Sequence, residues 1–225
     1  MEKTLLMPEQ SHCDSLDASI KETISSIIDD LIASLPDPSH LSSEERRGII
    51  ARYTAVLEGN FIYWMTATYM AIQSQEARPI ILDNLQEEVR DAHPAMLRRF
   101  AIAAHAFPTD TDALAVTEDL TKVRLFLARL SAVQSVVTMA FFEGFIQRFM
   151  GYLANLASAE GSTDMEYTDV HGVCDIEHTA GLFRALAAER AVNPLDPSKD
   201  LLEGVYILRT LIENIVFNRV ETLSA

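Results

Sequence analysis

Apolar residues recur along the chain at spacings of three and four rather than in strict alternation, a pattern that predicts one helix after another. A first amphipathic helix is predicted from about Asp14 to Leu35, where "PDPSH" stops it. A second opens at the capping-type "SSEE" near Ser42 and runs through "YTAVLEGNFIYWMTATYMAI". A third, with "IILDNLQEEV", begins after Pro79, and another, with "AMLRRFAIAAHAF", follows His93-Pro94 and ends at the loop "PTDTD". A central hairpin pairs "TEDLTKVRLFLARL" with "VQSVVTMAFFEGFIQRFMGYLANLA". The polar break "SAEGSTDMEY" leads into a helix containing "DVHGVCDIEHTAGLF", and "NPLDPSKD" separates that helix from a last one. With no Asn-Gly or Asp-Gly hairpin signal, no repeat and no linker, residues 1–225 are expected to form a single all-α domain with a flexible stretch at 1–13.

Composition narrows the partners. A chain of 225 residues that is 48% hydrophobic can bury a sizeable core. Against 18 basic residues stand 33 acidic ones, and a formal charge of -15 without a Lys/Arg cluster repels phosphate backbones and anionic lipid, so neither nucleic acid nor membrane is an expected partner. The N-terminal "MEKTLLMPEQSHCDS" lacks the pattern of a signal peptide, and no apolar run reaches the roughly 18 to 20 residues of a bilayer span. The two cysteines, Cys13 and Cys174, make neither a disulfide framework nor a Cys-x-x-Cys metal site. A reducing cytoplasm is the expected location.

Several polar groups interrupt the apolar faces. His171, Asp175 and His178 share one helical stripe with Leu182, Ala185 and Leu186. Glu143 lies on the face of Met139, Ala140, Ile146 and Met150, His93 on that of Met96, Leu97 and Phe100, and Glu88 on that of Ile81 and Leu85. Glu58 shares a row with Ala55, Ile62 and Met65, either as a pocket contact or as a structural or surface carboxylate. Carboxylates and imidazoles converging inside a bundle call for a compensating cation. Glu and His ligands without thiolate, projected from facing helices, are how carboxylate-bridged di-iron or di-manganese centres are built. Cys174 reads as a small apolar residue packed behind the ligands, and Tyr63, Trp64 and Tyr69 read as core. His12, His40 and His105 show no partner pattern.

The segments "NLQEEVRDAHPAMLRRF", "FFEGFIQRFMGYL" and "HGVCDIEH" together resemble the haem-oxygenase-like di-iron oxidases, over roughly residues 80 to 190. That resemblance implies a seven-helix haem-oxygenase-like bundle and a ligand set of Glu88, His93, Glu143, His171, Asp175 and His178, with Glu87 as the alternative to Glu88. No catalytic residue is implied beyond the ligands. It further implies two Fe2+ ions, dioxygen as co-substrate, an external electron source and a homodimer by analogy. The substrate would be a small carboxylic acid, foremost an amino acid or derivative in a biosynthetic pathway, with a fatty acid undergoing oxidative decarboxylation as the alternative. The outcome would be desaturation, N-oxygenation or carbon-carbon cleavage. Arg124, Arg129 and Arg148 are unassigned candidates for holding the acid. Two competing readings remain: a metal-independent enzyme of the thiaminase-II or quinone-cofactor-synthase type, and a non-catalytic helical interaction protein.

Overall fold

The computed structural model describes residues 8–218, with side chains from residue 18 onward. The described residues form eight α-helices and no strand: α1 (Pro8–Ala33), α2 (Ser43–Ala71), α3 (Ala77–Arg90), α4 (His93–Ala103), α5 (Asp110–Leu127), α6 (Ala132–Ala159), α7 (Glu166–Val192) and α8 (Glu203–Phe217), with a 3-10 turn at Pro38–His40. These are the eight helical segments that the periodicity predicts, one more than the seven that the resemblance implies. Of the stretch expected to be flexible, residues 1–7 lie outside the described residues, and α1 begins at Pro8. Pro79 falls inside the first turn of α3, where its missing N–H leaves no helical bond unmade.

The ends of the longest helices follow from local chemistry. At the start of α2 the Ser42 side chain accepts from Glu45 N, while Glu45 Oε2 accepts from Ser42 N at 2.8 Å. Thr109 and Asp112 repeat this reciprocal cap on α5. Both arrangements satisfy amide groups that the first turn cannot pair internally.

α6 lies at the centre, buried on nearly all sides from Ala132 to Ala157, as a helix apolar around its circumference must be. α7 runs back along it, with Gly144 facing Thr179 and Gln147 facing Gly172. On the other side, α2, α5 and α8 close the core around Trp64, whose ring meets Phe142 edge-on at 5.3 Å. Gly204 permits the approach of α8: a Cβ there would collide with Thr138 Oγ1 and the Phe126 ring. The fully buried Glu189 carboxylate on α7 accepts from the amides of Gln73 and Ser74, at 3.0 and 2.8 Å, and so anchors the link from α2 into α3. No described helix is long and apolar enough to cross a membrane.

Candidate metal centre

Two groups of side chains that could hold a metal ion meet where α3, α4 and α7 pack against α6. The first is Glu88, His93 and His171, all buried, with one donor atom from each lying within 4.8 Å of the others. Glu88 and His93 are five residues apart, which in a continuous helix would place them about 140° from each other. The chain instead leaves α3 after Arg90 and restarts at His93, with Ala92 in the left-handed region at φ 56° and ψ 41°. This turn brings His93 Nδ1 to 2.8 Å from Glu88 Oε1. His171 Nδ1 donates to the Tyr167 carbonyl at 2.8 Å, which leaves Nε2 as the ring nitrogen facing Glu88 Oε1, 3.8 Å away. Such a backbone acceptor fixes both the tautomer and the ring of a ligating histidine.

The second group is built on α7 and completed from α6. His178 Nδ1 stands 3.6 Å from Asp175 Oδ1 and 3.7 Å from Glu143 Oε2. These gaps are too long for good hydrogen bonds and suit donors that share an ion. Glu143 Oε1 accepts from Asn84 Nδ2 at 2.8 Å, so α3 orients the α6 carboxylate. Cys174, read from the sequence as apolar packing, instead donates its thiol to Asp175 Oδ1 at 3.3 Å and belongs to the same group. Neighbours in sequence, Glu87 and Glu88 serve different groups: Glu88 joins His93 and His171, whereas the half-exposed Glu87 meets His178 Nε2 at 2.6 Å and pairs with Arg90.

The electrostatics fit cations. Asp175 Oδ2 and His178 Nδ1 are buried without a hydrogen-bond partner, and no Lys or Arg lines the adjacent cavity. Burial, reinforced by the nearby Asp175, pushes the Glu143 carboxyl up to about 7. Burial opposes protonation of His178, yet the negative charge of Asp175, Glu143 and Glu87 around the ring outweighs it and raises the imidazolium to about 11. At Glu88, contacts with His171 and His93 overcome burial and hold the carboxyl down at about 2. Without metal, then, a proton on His178 supplies part of the positive charge that the carboxylates require. A divalent ion supplies more, directly at the donor atoms.

Glu88, His93, Glu143, His171 and Asp175 face one cavity of about 30 Å³, room for about two waters. Its remaining wall is apolar, formed by Leu57, Phe61, Ile62, Leu97, Phe142 and Ile146. Tyr53 and Tyr167 also line it, with their hydroxyl oxygens 2.8 Å apart and the Tyr167 ring 4.2 Å from that of His171. Burial pushes both hydroxyls up, so they persist as protonated donors. The sequence reading missed this pair. Tyr167 was legible, four residues before His171 on the same stripe, but Tyr53 lies on α2 and only packing brings it in.

Other candidates sit elsewhere. Glu58 points away from the cavity and binds Arg98 through Nε at 2.7 Å, which replaces the pocket role considered for it with a surface ion pair. Arg124 bonds Asn60, Arg129 pairs with Glu203 and Arg148 with Asp29, so none reaches the cavity. Trp64 is core as expected, Tyr69 is partly buried beneath Arg78, and Tyr63 is exposed. The side chain of His12 lies outside those described.

A family model described as iron-containing redox enzyme matches residues 50–207. The chain belongs to this family. The match runs from α2 into α8 and includes both ligand groups, so the fold is the haem-oxygenase-like all-α domain and the activity class is iron-dependent redox chemistry. No curated protein matches the chain. For an iron-containing redox enzyme, the nitrogen and oxygen donors, the partnerless buried atoms and the local excess of negative charge are consistent with iron at these groups.

Proposed function

We propose that the protein is a dioxygen-dependent oxidase or oxygenase that holds two irons and oxidises a small carboxylic acid. The observation that carries this reading is the pair of adjacent groups, one built from Glu88, His93 and His171 and the other from Asp175 and His178 with Glu143 facing them, beside one cavity. Bound iron would supply the redox electrons and the coordination sites for dioxygen chemistry. The chain's own residues do the rest. Asn84 and the Tyr167 carbonyl hold Glu143 and His171 in place, and an apolar wall stands beside them. One hydrogen of the tyrosine pair bridges the two oxygens, and the other, which has no acceptor among the described residues, is a donor for a substrate oxygen.

The lining also bears on the substrate. With no Lys or Arg in the cavity wall, the acid is held by the tyrosine donor rather than by an arginine clamp. The apolar wall residues favour an amino acid with an apolar side chain or a short aliphatic acid. Either class of acid requires this small cavity to widen, and the fatty-acid alternative requires it to lengthen further along Leu57, Phe61 and Leu97. The test is oxygen uptake by ferrous protein against panels of apolar amino acids and of aliphatic acids of increasing length, with iron content measured on the same samples. Tyr53→Phe and Tyr167→Phe are expected to keep iron and to raise KM about tenfold, the loss of one hydrogen bond to a charged group. Protein that holds two irons and consumes no oxygen with any acid would defeat the proposal.

A further inference from the structure

The half-buried thiol of Cys174 faces an open groove between α3 and α7, beside His178, Glu87 and Asn84. A cysteine that served only as apolar filler would turn its sulfur toward hydrocarbon. This one is 3.3 Å from Asp175 Oδ1 and lies in one group with Asp175 and His178, all three donors within 4.8 Å. Donor atoms about 2.0 to 2.3 Å from a tetrahedral ion are separated from each other by about 3.3 to 3.7 Å. The separations here are 3.3 Å from Sγ to Asp175 Oδ1, 3.6 Å from that oxygen to His178 Nδ1, and 3.7 Å from that nitrogen to Glu143 Oε2. A second observation bears on the same carboxylate and imidazole: Asp175, only 1% exposed, leaves its other oxygen, Oδ2, without a hydrogen-bond partner, and His178 Nδ1 has none either.

We propose that Cys174 is itself a ligand, giving the second metal position a sulfur, nitrogen and oxygen donor set beside a first position of two imidazoles and one carboxylate. The inference rests on the two-metal reading above. When the ion binds, a metal-sulfur bond forms, the S–H bond breaks, and the proton leaves to solvent through the groove, with no change of oxidation state. The two positions thereby become chemically unequal. The second discriminates against manganese, which favours oxygen donors, and toward ferrous iron, cobalt and zinc.

Anaerobic titration of the full-length protein with cobalt(II) tests this. A thiolate on cobalt has a near-ultraviolet sulfur-to-metal charge-transfer band that carboxylate and imidazole donors lack. The expected result is that band in the wild-type protein, its retention in Cys13→Ala, and its loss in both Cys174→Ala and Cys174→Ser. Cobalt bound to wild-type protein without the band, or a band that survives both Cys174 substitutions, overturns the proposal and leaves the two-metal reading standing. Failure of the wild-type protein to retain any cobalt overturns both. Since the band is read first on the unaltered chain, a poorly folded variant does not blunt the test.

Discussion

His178 is balanced between two carboxylates on its Nδ1 side and Glu87 on its Nε2 side, so its charge depends on what else occupies the centre. In metal-free protein its imidazolium is raised from 6.5 to about 11 and the Glu143 carboxyl from 4.5 to about 7. A group whose folded value is raised stabilises the fold below its unfolded value and loses that contribution as pH climbs through the folded one. Metal-free protein should therefore lose thermal stability from pH 7 to pH 9, and His178→Ala should flatten that slope, as read by calorimetry. Glu88, held at about 2, acts in the opposite window: its contribution is present above 4.5 and is lost as pH falls toward 2. The same residues separate the two neighbouring glutamates. Glu88→Ala is expected to lose bound iron outright, because it removes the carboxylate shared by His93 and His171, while Glu87→Ala weakens binding by about 10- to 100-fold through loss of a support to His178. Iron per chain after desalting measures both. Undiminished iron in Glu88→Ala would return the ligand assignment to Glu87.

Among the elements, the break between α3 and α4 matters most for the centre. Asp91 and Ala92 give two residues out of helical register, and the left-handed Ala92 turns His93 back onto Glu88. An alanine in that region carries strain of about 1 kcal/mol that glycine lacks. Ala92→Gly should raise stability by about 0.5 to 1 kcal/mol, a Tm increase of roughly 2 °C, with iron content unchanged. A lower Tm would show that the turn is unstrained. At the far end of the bundle the sign reverses. Gly204→Ala places a methyl group against Thr138 and Phe126, and the resulting overpacking should cost about 1 to 3 kcal/mol in denaturant melts. That substitution acts on α8 alone and should leave metal binding intact, since α8 contributes nothing to either ligand group.

For the molecule as a whole, the ligand groups lie on one flank of α6, and an apolar core assembled by α2, α5, α6 and α8 fills the other. That core includes none of the candidate ligands. Metal removal should therefore leave the helical circular-dichroism spectrum in place and lower the midpoint of thermal unfolding. Saturation at about 100 times Kd stabilises a native state by about 2.7 kcal/mol, or roughly 5 to 10 °C at this chain length. Chelation that unfolds the protein would mean that the centre is a structural clasp rather than a site carried by a finished fold.

The sequence alone determined the helices, because period and caps are local: "SSEE" became a reciprocal cap, and the stripe of His171, Asp175 and His178 did turn inward on α7. It also marked Glu88, His93 and Glu143 as polar groups on apolar faces, and the structure brings them to the same flank of α6. Only the tertiary structure decided which residues share a group. Glu87 and Glu88 differ by about 100° around one helix, and the choice between them depends on where α7 packs and how the turn at Ala92 aims His93. The cavity face of Tyr53, the ion pair that draws Glu58 away to Arg98, and the turning of Cys174 toward Asp175 likewise depend on neighbours contributed by other helices or by the groove between them. Periodicity reports the face on which a side chain stands, and nothing in a single helix specifies what stands opposite.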